Sequence, residues 1–284
     1  MDHKTPTLTS TSNALIKQLV QWQERAKARR KDGVFVVEGQ REIDLALNAQ
    51  FESSMVFLCP EINPEHNKDH QKNQGLAGVK TYLVSPNVYK KIAYRDSTEG
   101  IVVVFKSKNH SLETLDVSNQ NPLILIAEAP EKPGNIGALL RTADAAGVDA
   151  FVLANPKTDL YNPNIIRSSV GGIFSTKIAT GNTKDIIRFL KSRNIKIYSA
   201  ILQEAIPFTQ ANYKGPTAIV VGTEADGLSE SWRGVSEANI KIPIDKYVVI
   251  FAVLSPDELE LSAFKSAWLL LLLSHDQKNK RIIM

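Results

Sequence analysis

Apolar and polar positions along this chain fall into two alternating patterns. Val34-Phe-Val-Val37, Met55–Leu58, Leu123-Ile-Leu-Ile-Ala127, Ala150–Ala154, Ile195–Ala200 and Thr217–Val221 are short, nearly continuous apolar runs. Such runs have the character of strands buried on both faces. Between them, apolar residues recur at helical spacing in Leu15–Lys31, Arg41–Ala49, Asn87–Ile92, Ala138–Ala146, Asn164–Ser169, Lys184–Arg193 and Glu258–Leu273. Briefer strands are expected at Tyr82–Val84, Gly100–Phe105 and Ile240–Ile242. Strand alternating with helix predicts an α/β fold whose sheet is mostly parallel and covered on both faces.

The pattern fails over Ser107–Asn121, SKNHSLETLDVSNQN, which is polar and carries no periodic apolar face. It reads as a linker (107–121) between a small N-terminal α/β domain (1–106) and a larger C-terminal one (122–284). Pro60–Gly78 reads as a long polar loop. With 284 residues, 43% hydrophobic and 23% charged, the chain is long enough for two buried cores. A net charge of +4 and a pI near 9.0 suit a polyanionic partner without requiring one.

Cys59 is the single cysteine, which excludes a disulfide framework and a cysteine-rich zinc site. The five histidines, His3, His66, His70, His110 and His275, lie away from every motif, so no metal is expected. The start of the chain is polar, so no secretory leader is expected. Ala267–Leu273 falls short of the roughly 20 apolar residues that span a bilayer. A cytoplasmic protein is expected.

Three strand ends in the second domain carry corner chemistry. Pro133-Gly-Asn-Ile-Gly137 follows Leu123–Ala127, Gly222-Thr-Glu-Ala-Asp-Gly-Leu228 follows Ala218–Val221, and Ile242-Pro-Ile244 follows the last strand. Corners after parallel strands are where open sheets bind ligands, and glycines there let backbone amides come close. The Gly-x-Gly-x-x-Gly of dinucleotide enzymes is absent, as is the Gly-Lys-Ser/Thr of phosphate-binding loops. Asn135 reads as a helix cap. Arg141 stands among alanines and leucines, either paired with Asp144 three residues on or reaching toward the sheet edge.

Together these stretches resemble the SpoU (TrmH-like) family of RNA ribose 2′-O-methyltransferases, in the SPOUT superfamily. The resemblance rests on Asn135, Gly137, Arg141, Thr142 and Ala143 as the first motif. Gly222, Glu224, Gly227 and Leu228 form the second, and Ile242-Pro243-Ile244 starts the third. Arg167-Ser168-Ser169-Val170-Gly171-Gly172 resembles an intervening segment. Phe35-Val-Val-Glu-Gly39 and Thr98-Glu-Gly-Ile101 resemble a ribosomal-protein-like RNA-binding domain often fused to such enzymes.

The resemblance implies an α/β-knot, S-adenosyl-L-methionine as methyl donor, no metal, structured and preferably ribosomal RNA as substrate, and a homodimer through the C-terminal domain. It implies catalytic roles for Arg141, Asn135 and Glu224, and donor contacts from Val221, Gly222, Leu228, Ile242 and Leu259. RNA contacts are expected from Arg167 and Ser168, and from Arg29, Arg30 and Lys31 in the basic end of the first helix. A guanidinium stays charged at ordinary pH, so Arg141 is expected to orient the 2′-oxygen and a phosphate as well as to assist proton loss.

The third motif departs from the family pattern. Asp245–Pro256 is longer and more apolar than the usual loop, lacks its glycine, and leads to Glu260 where asparagine is expected. That departure supports a competing reading, an RNA-binding protein of the same fold that has lost methyl transfer. A transfer-RNA substrate is a further alternative.

Overall fold

The computed structural model describes residues 5–64, 75–94, 99–223 and 226–241. Two compact units result. One takes in the chain to Lys108 together with Asp159–Phe174; the other takes in Asn109–Thr158 and the chain from Ser175 on.

The first unit opens with β1 (Thr7–Leu8), α1 (Ala14–Glu24) and α2 (Ala26–Asp32). It continues with β2 (Val34–Glu38), α3 (Gln40–Asn48), β3 (Ser53–Leu58), β4 (Lys80–Val84), α4 (Pro86–Ile92) and β5 (Ile101–Lys106). Its sheet runs β1-β4-β3-β5-β2, with β5 antiparallel to both neighbours and the β1–β4 and β3–β4 pairs parallel. Ile16, Leu19 and Trp22 of α1 pack on this sheet with Val88 and Ile92 of α4. These residues recur every three or four positions, which is why both segments form helices.

The single helix expected over Leu15–Lys31 is two helices. Arg25 is extended (φ −119°, ψ 112°), and the break leaves late carbonyls of α1 without helical partners. Arg29 supplies them: its Nη1 donates to Trp22 O at 2.6 Å and Gln23 O at 2.8 Å. Its Nε donates to Asp159 Oδ2 at 2.5 Å, and Arg29 is only 3% exposed. This corrects the expectation that Arg29 touches RNA, because its guanidinium is buried and bonded within the protein. Arg30 and Lys31 are exposed.

The second unit contributes β6 (Leu123–Glu128), α5 (Pro133–Ala145) and β7 (Ala150–Ala154). The chain then crosses to the first unit for α6 (Pro163–Ser168) and most of α7 (Gly172–Ser175). Aromatic packing holds that segment there. Phe35 stacks on Tyr161 with ring centroids 4.2 Å apart, and Phe51 meets Phe174 edge-on at 5.5 Å. Burial pushes the Tyr161 phenol well above its ordinary value. Its oxygen accepts the Lys108 amide at 3.1 Å.

The rest of the second unit is β8 (Ile178–Gly181), α8 (Thr183–Ser192), β9 (Lys196–Ala200), β10 (Ile206–Pro207), β11 (Thr217–Val221), α9 (Glu230–Arg233) and β12 (Ala238–Lys241). Seven strands pair in the order β10-β12-β9-β11-β6-β7-β8, each adjacent pair parallel. The alternation read from the sequence is therefore correct for this unit. The stretch read as a linker carries a short 3₁₀ turn, Leu112–Thr114. Leu112 and Leu115 are buried in this unit's core with Ile124, Ile126 and Phe189.

The final helix expected at Glu258–Leu273 lies outside the described residues. Among the described residues, no helix is long and apolar enough to cross a membrane.

Replacing Arg29 by alanine strands the mostly buried Asp159 carboxyl and two α1 carbonyls. Arg29→Ala is expected to destabilise the protein by about 3–5 kcal/mol. Arg30→Ala, on the exposed face, is expected to stay within about 0.5 kcal/mol. Urea denaturation of the two variants measures both effects.

Candidate active site

The strand order places a reversal beside β6. From β6 the chain runs outward through β7 and β8, then returns to build β9, β11 and β12 on the other flank. Ligands bind at such a switch point, beyond the carboxyl ends of the strands. Ala127 pairs with Val221 across it, so the corners after β6 and β11 leave the sheet side by side.

The β6 corner leads into α5. Lys132 is the extended cap residue and Pro133 the first helical residue, its fixed φ suited to that position. The expectation that Asn135 caps this helix is therefore corrected. Asn135 lies within the first turn, half-buried, its amide donating to Lys132 O at 3.0 Å. Leu139, Leu140, Thr142 and Ala143 are buried, whereas Arg141 is exposed. Gly134 and Arg141 are seven residues apart, two helical turns, and both are exposed. No atom of the other described residues stands within 4 Å of where a Gly134 side chain would begin. Asp144 accepts a hydrogen bond from Ser175 Oγ at 2.6 Å. Beside the corner, Lys157 donates to Glu131; that bond holds the carboxyl below its ordinary range and raises the ammonium.

The β11 corner is tighter. Thr223 and Gly227 exchange two backbone hydrogen bonds, each 3.1 Å, and Thr223 Oγ1 accepts the Asp226 amide at 2.9 Å. A side chain at Gly222 would begin 2.2 Å from the Gly227 carbonyl and 2.7 Å from Leu228 N. Those are backbone atoms, so only glycine permits the loop to close. Gly227 has positive φ (+66°) and open space on its Cβ side. Among the described residues, nothing covers the backbone at Gly227, a form suited to a ligand's approach.

A residue the sequence reading passed over joins these corners. Glu128 ends β6 and is 6% exposed. Its Oε2 accepts the Ser229 amide at 2.8 Å, and its Oε1 accepts the hydroxyls of Ser229 at 2.8 Å and Thr183 at 2.9 Å. The signal was available: a carboxylate closing the apolar run Leu-Ile-Leu-Ile-Ala at a strand end.

Of the expected site residues, Val221, Gly222 and Leu228 lie at the β11 corner, and Asn135 and Arg141 on the helix after the neighbouring strand. Val221 and Leu228 are buried, Leu228 in the core cluster that also holds Trp232. Glu224, Ile242, Leu259 and the altered segment 245–262 lie outside the described residues. Arg167 and Ser168 fall in the first unit. There the Arg167 guanidinium lies 5.5 Å from the Tyr94 ring centre and donates to Asn164 Oδ1, while Ser168 Oγ donates to Asn164 O.

Two family models match, the SpoU rRNA methylase family over residues 122–251 and an MRM3-like substrate-binding domain over 13–103. A solved RNA 2′-O ribose methyltransferase is 32% identical over 95% of this chain and 99% of its own, with a TM-score of 0.72. The chain belongs to the SpoU family. Among its relatives, the Bacillus subtilis 23S rRNA (guanosine(2553)-2′-O)-methyltransferase RlmP is 25% identical over 77% of this chain and 83% of its own. A 23S rRNA (uridine(2479)-2′-O)-methyltransferase of Streptomyces viridochromogenes is 25% identical over 79% and 80%. An AdoMet-bound rRNA methyltransferase from Sinorhizobium meliloti, 23% identical over 95% of this chain and 97% of its own, shares the fold with a TM-score of 0.76. The matched family region, 122–251, contains both adjacent corners.

Gly222→Ala is expected to break the paired Thr223–Gly227 hydrogen bonds. Amide exchange at Thr223 and Gly227 should accelerate by at least about tenfold, while the β6 amides keep their protection. Hydrogen-exchange mass spectrometry of the full chain reads both.

Proposed function

We propose that this chain transfers a methyl group from S-adenosyl-L-methionine to a ribose 2′-hydroxyl of ribosomal RNA. The single observation that carries the proposal is the meeting of two SpoU corners, Asn135–Arg141 after β6 and Gly222–Leu228 after β11, on paired strands. Ribosomal RNA is favoured over transfer RNA by the Bacillus subtilis and Streptomyces viridochromogenes relatives, both 23S rRNA methyltransferases, and by the matched substrate-binding domain.

The donor supplies a methyl group already activated by its sulfonium charge, so the protein's work is mostly positioning. Val221, Gly222 and Leu228 are assigned to the donor, because in their corner no described atom stands within 4 Å of where a Gly227 side chain would begin. Arg141 is exposed on the adjacent helix and offers a planar, five-donor fork. It is assigned to hold an RNA phosphate and orient the 2′-oxygen. Asn135, half-buried one turn into the same helix, is assigned to the ribose side of the site. Glu224 is assigned to orient Asn135 or Arg141.

Arg30 and Lys31 are assigned to the RNA backbone, with Arg167 and Ser168 as further contacts. A homodimer through the second unit completes the proposal, motivated by the family resemblance and the apolar stretch 263–273.

Incubating the full chain with labelled donor and total RNA, then separating nucleosides, tests the activity. A 2′-O-methyl nucleoside from the ribosomal fraction is expected. No such product from ribosomal or transfer RNA would end the proposal and leave the binding-only reading. Arg141→Ala is expected to lower kcat/KM by about a hundredfold or more, with donor affinity by calorimetry unchanged within about twofold. Arg30→Ala and Lys31→Ala should each weaken RNA binding and reduce the slope of log K against log salt by about 1. An unchanged slope would remove these two residues from the interface.

A further inference from the structure

The bonds at Glu128 form part of a chain of contacts across four neighbouring strand ends. In sheet order, Ser229 follows β11, Glu128 ends β6, Asn155 follows β7, and Thr183 follows β8. Asn155 Nδ2 donates to Thr183 Oγ1 at 2.9 Å, so that hydroxyl's proton goes to Glu128 Oε1. Ser229 adds its hydroxyl to the same oxygen and its amide to Oε2. Glu128 therefore accepts three hydrogen bonds at once and donates none. Only a carboxylate does this in such a place; a carboxamide would turn a donor toward a donor. Three hydrogen bonds of 2.8–2.9 Å satisfy this buried side chain.

The target of the clamp is specific. Ser229 directly follows Leu228, the last residue of the glycine corner, and caps α9. Two bonds to one serine fix the exit of that corner, while the Thr223–Gly227 pair fixes its entrance. Glu128 itself lies five residues before Pro133, at the origin of the other corner. Ala129, next in the chain, has positive φ (+49°) and donates its amide to Ala154 O at 2.7 Å. The carboxylate thus ties the Gly222–Leu228 corner to the base of the Arg141 corner.

We infer that Glu128 is a positioning residue for the methyl donor, acting through Ser229 to hold the glycine corner in its binding shape. It does not touch the donor. Removing its charge should loosen donor binding selectively and leave RNA affinity alone. The inference rests on the proposed function for the identity of the donor.

Calorimetric titration of the full chain with S-adenosyl-L-methionine, beside RNA binding and thermal melting, tests this. Glu128→Gln is expected to raise the donor Kd about ten- to thirtyfold, as loss of a charge-assisted bond implies. Its Kd for a ribosomal RNA fragment should stay within about twofold. Ser229→Ala and Thr183→Val, each removing one hydroxyl from Oε1, should raise donor Kd about fivefold. The double variant Glu128→Gln/Ser229→Ala should bind no worse than Glu128→Gln, because both act through one clamp. Glu128→Asp, shorter by one methylene but still an acceptor of all three bonds, should recover part of the affinity.

Glu128→Gln binding donor as the unaltered chain does, or losing donor and RNA affinity together, would overturn the inference. If Glu128→Gln does not fold, unchanged donor Kd in both hydroxyl variants overturns it. An unaltered chain that binds no donor at all sinks the proposed function first and this inference with it. Faster Ser229 amide exchange in Glu128→Gln is expected without donor present; unaltered exchange would refute the clamp itself.

Discussion

Gly222 and Gly227 bring two stretches of backbone so close that any side chain at Gly222 would overlap the Gly227 carbonyl. The corner after β11 depends on this approach, and the geometry beside it follows. Because Thr223 and Gly227 pair with each other, Leu228 turns into the core cluster that also holds Trp232, and Ser229 arrives beside Glu128. Because β11 pairs with β6 in parallel register, that corner stands next to the start of α5. Sheet order alone would place a ligand here, but the closed glycine corner gives the place its shape.

The first unit is held by a different device. An interrupted helix leaves carbonyls that need donors, and a buried arginine supplies them while an aspartate from far along the chain balances its charge. Tyr161 and Phe174 fill apolar space against Phe35 and Phe51. Local helix ends and long-range packing therefore depend on the same few residues.

Much of this was legible in the sequence. The strands Ala150–Ala154 and Thr217–Val221 appear with the bounds their apolar runs predict, because strands buried on both faces cannot vary in character along their length. What escaped lacked a local signal. β1 and β10 have two residues each, and β8, Ile-Ala-Thr-Gly, mixes apolar and polar positions. The break at Arg25 has neither glycine nor proline to announce it; Arg29 stabilises it instead, held by Asp159 from 130 residues further along the chain. Within the polar stretch 107–121, Leu112 and Leu115 are too sparse to show periodicity, yet both reach the core. At the site, glycine and arginine spacing was readable, whereas the Glu128–Thr183–Asn155 contacts join residues that only the sheet brings together.

The placement of Asp159–Phe174 has a consequence for how the protein comes apart. The polypeptide passes between its two units three times, after Lys108, Thr158 and Phe174. A single cleavage near residue 108 therefore cannot release two self-sufficient halves. The amino-terminal fragment would lack Asp159 opposite Arg29 and the aromatic lid over Phe35, and the carboxyl-terminal fragment would carry Tyr161 and Phe174 stripped of their partners. Synthesis on the ribosome meets the same order: the amino-terminal sheet gains its full complement of contacts only after β6, α5 and β7 have emerged.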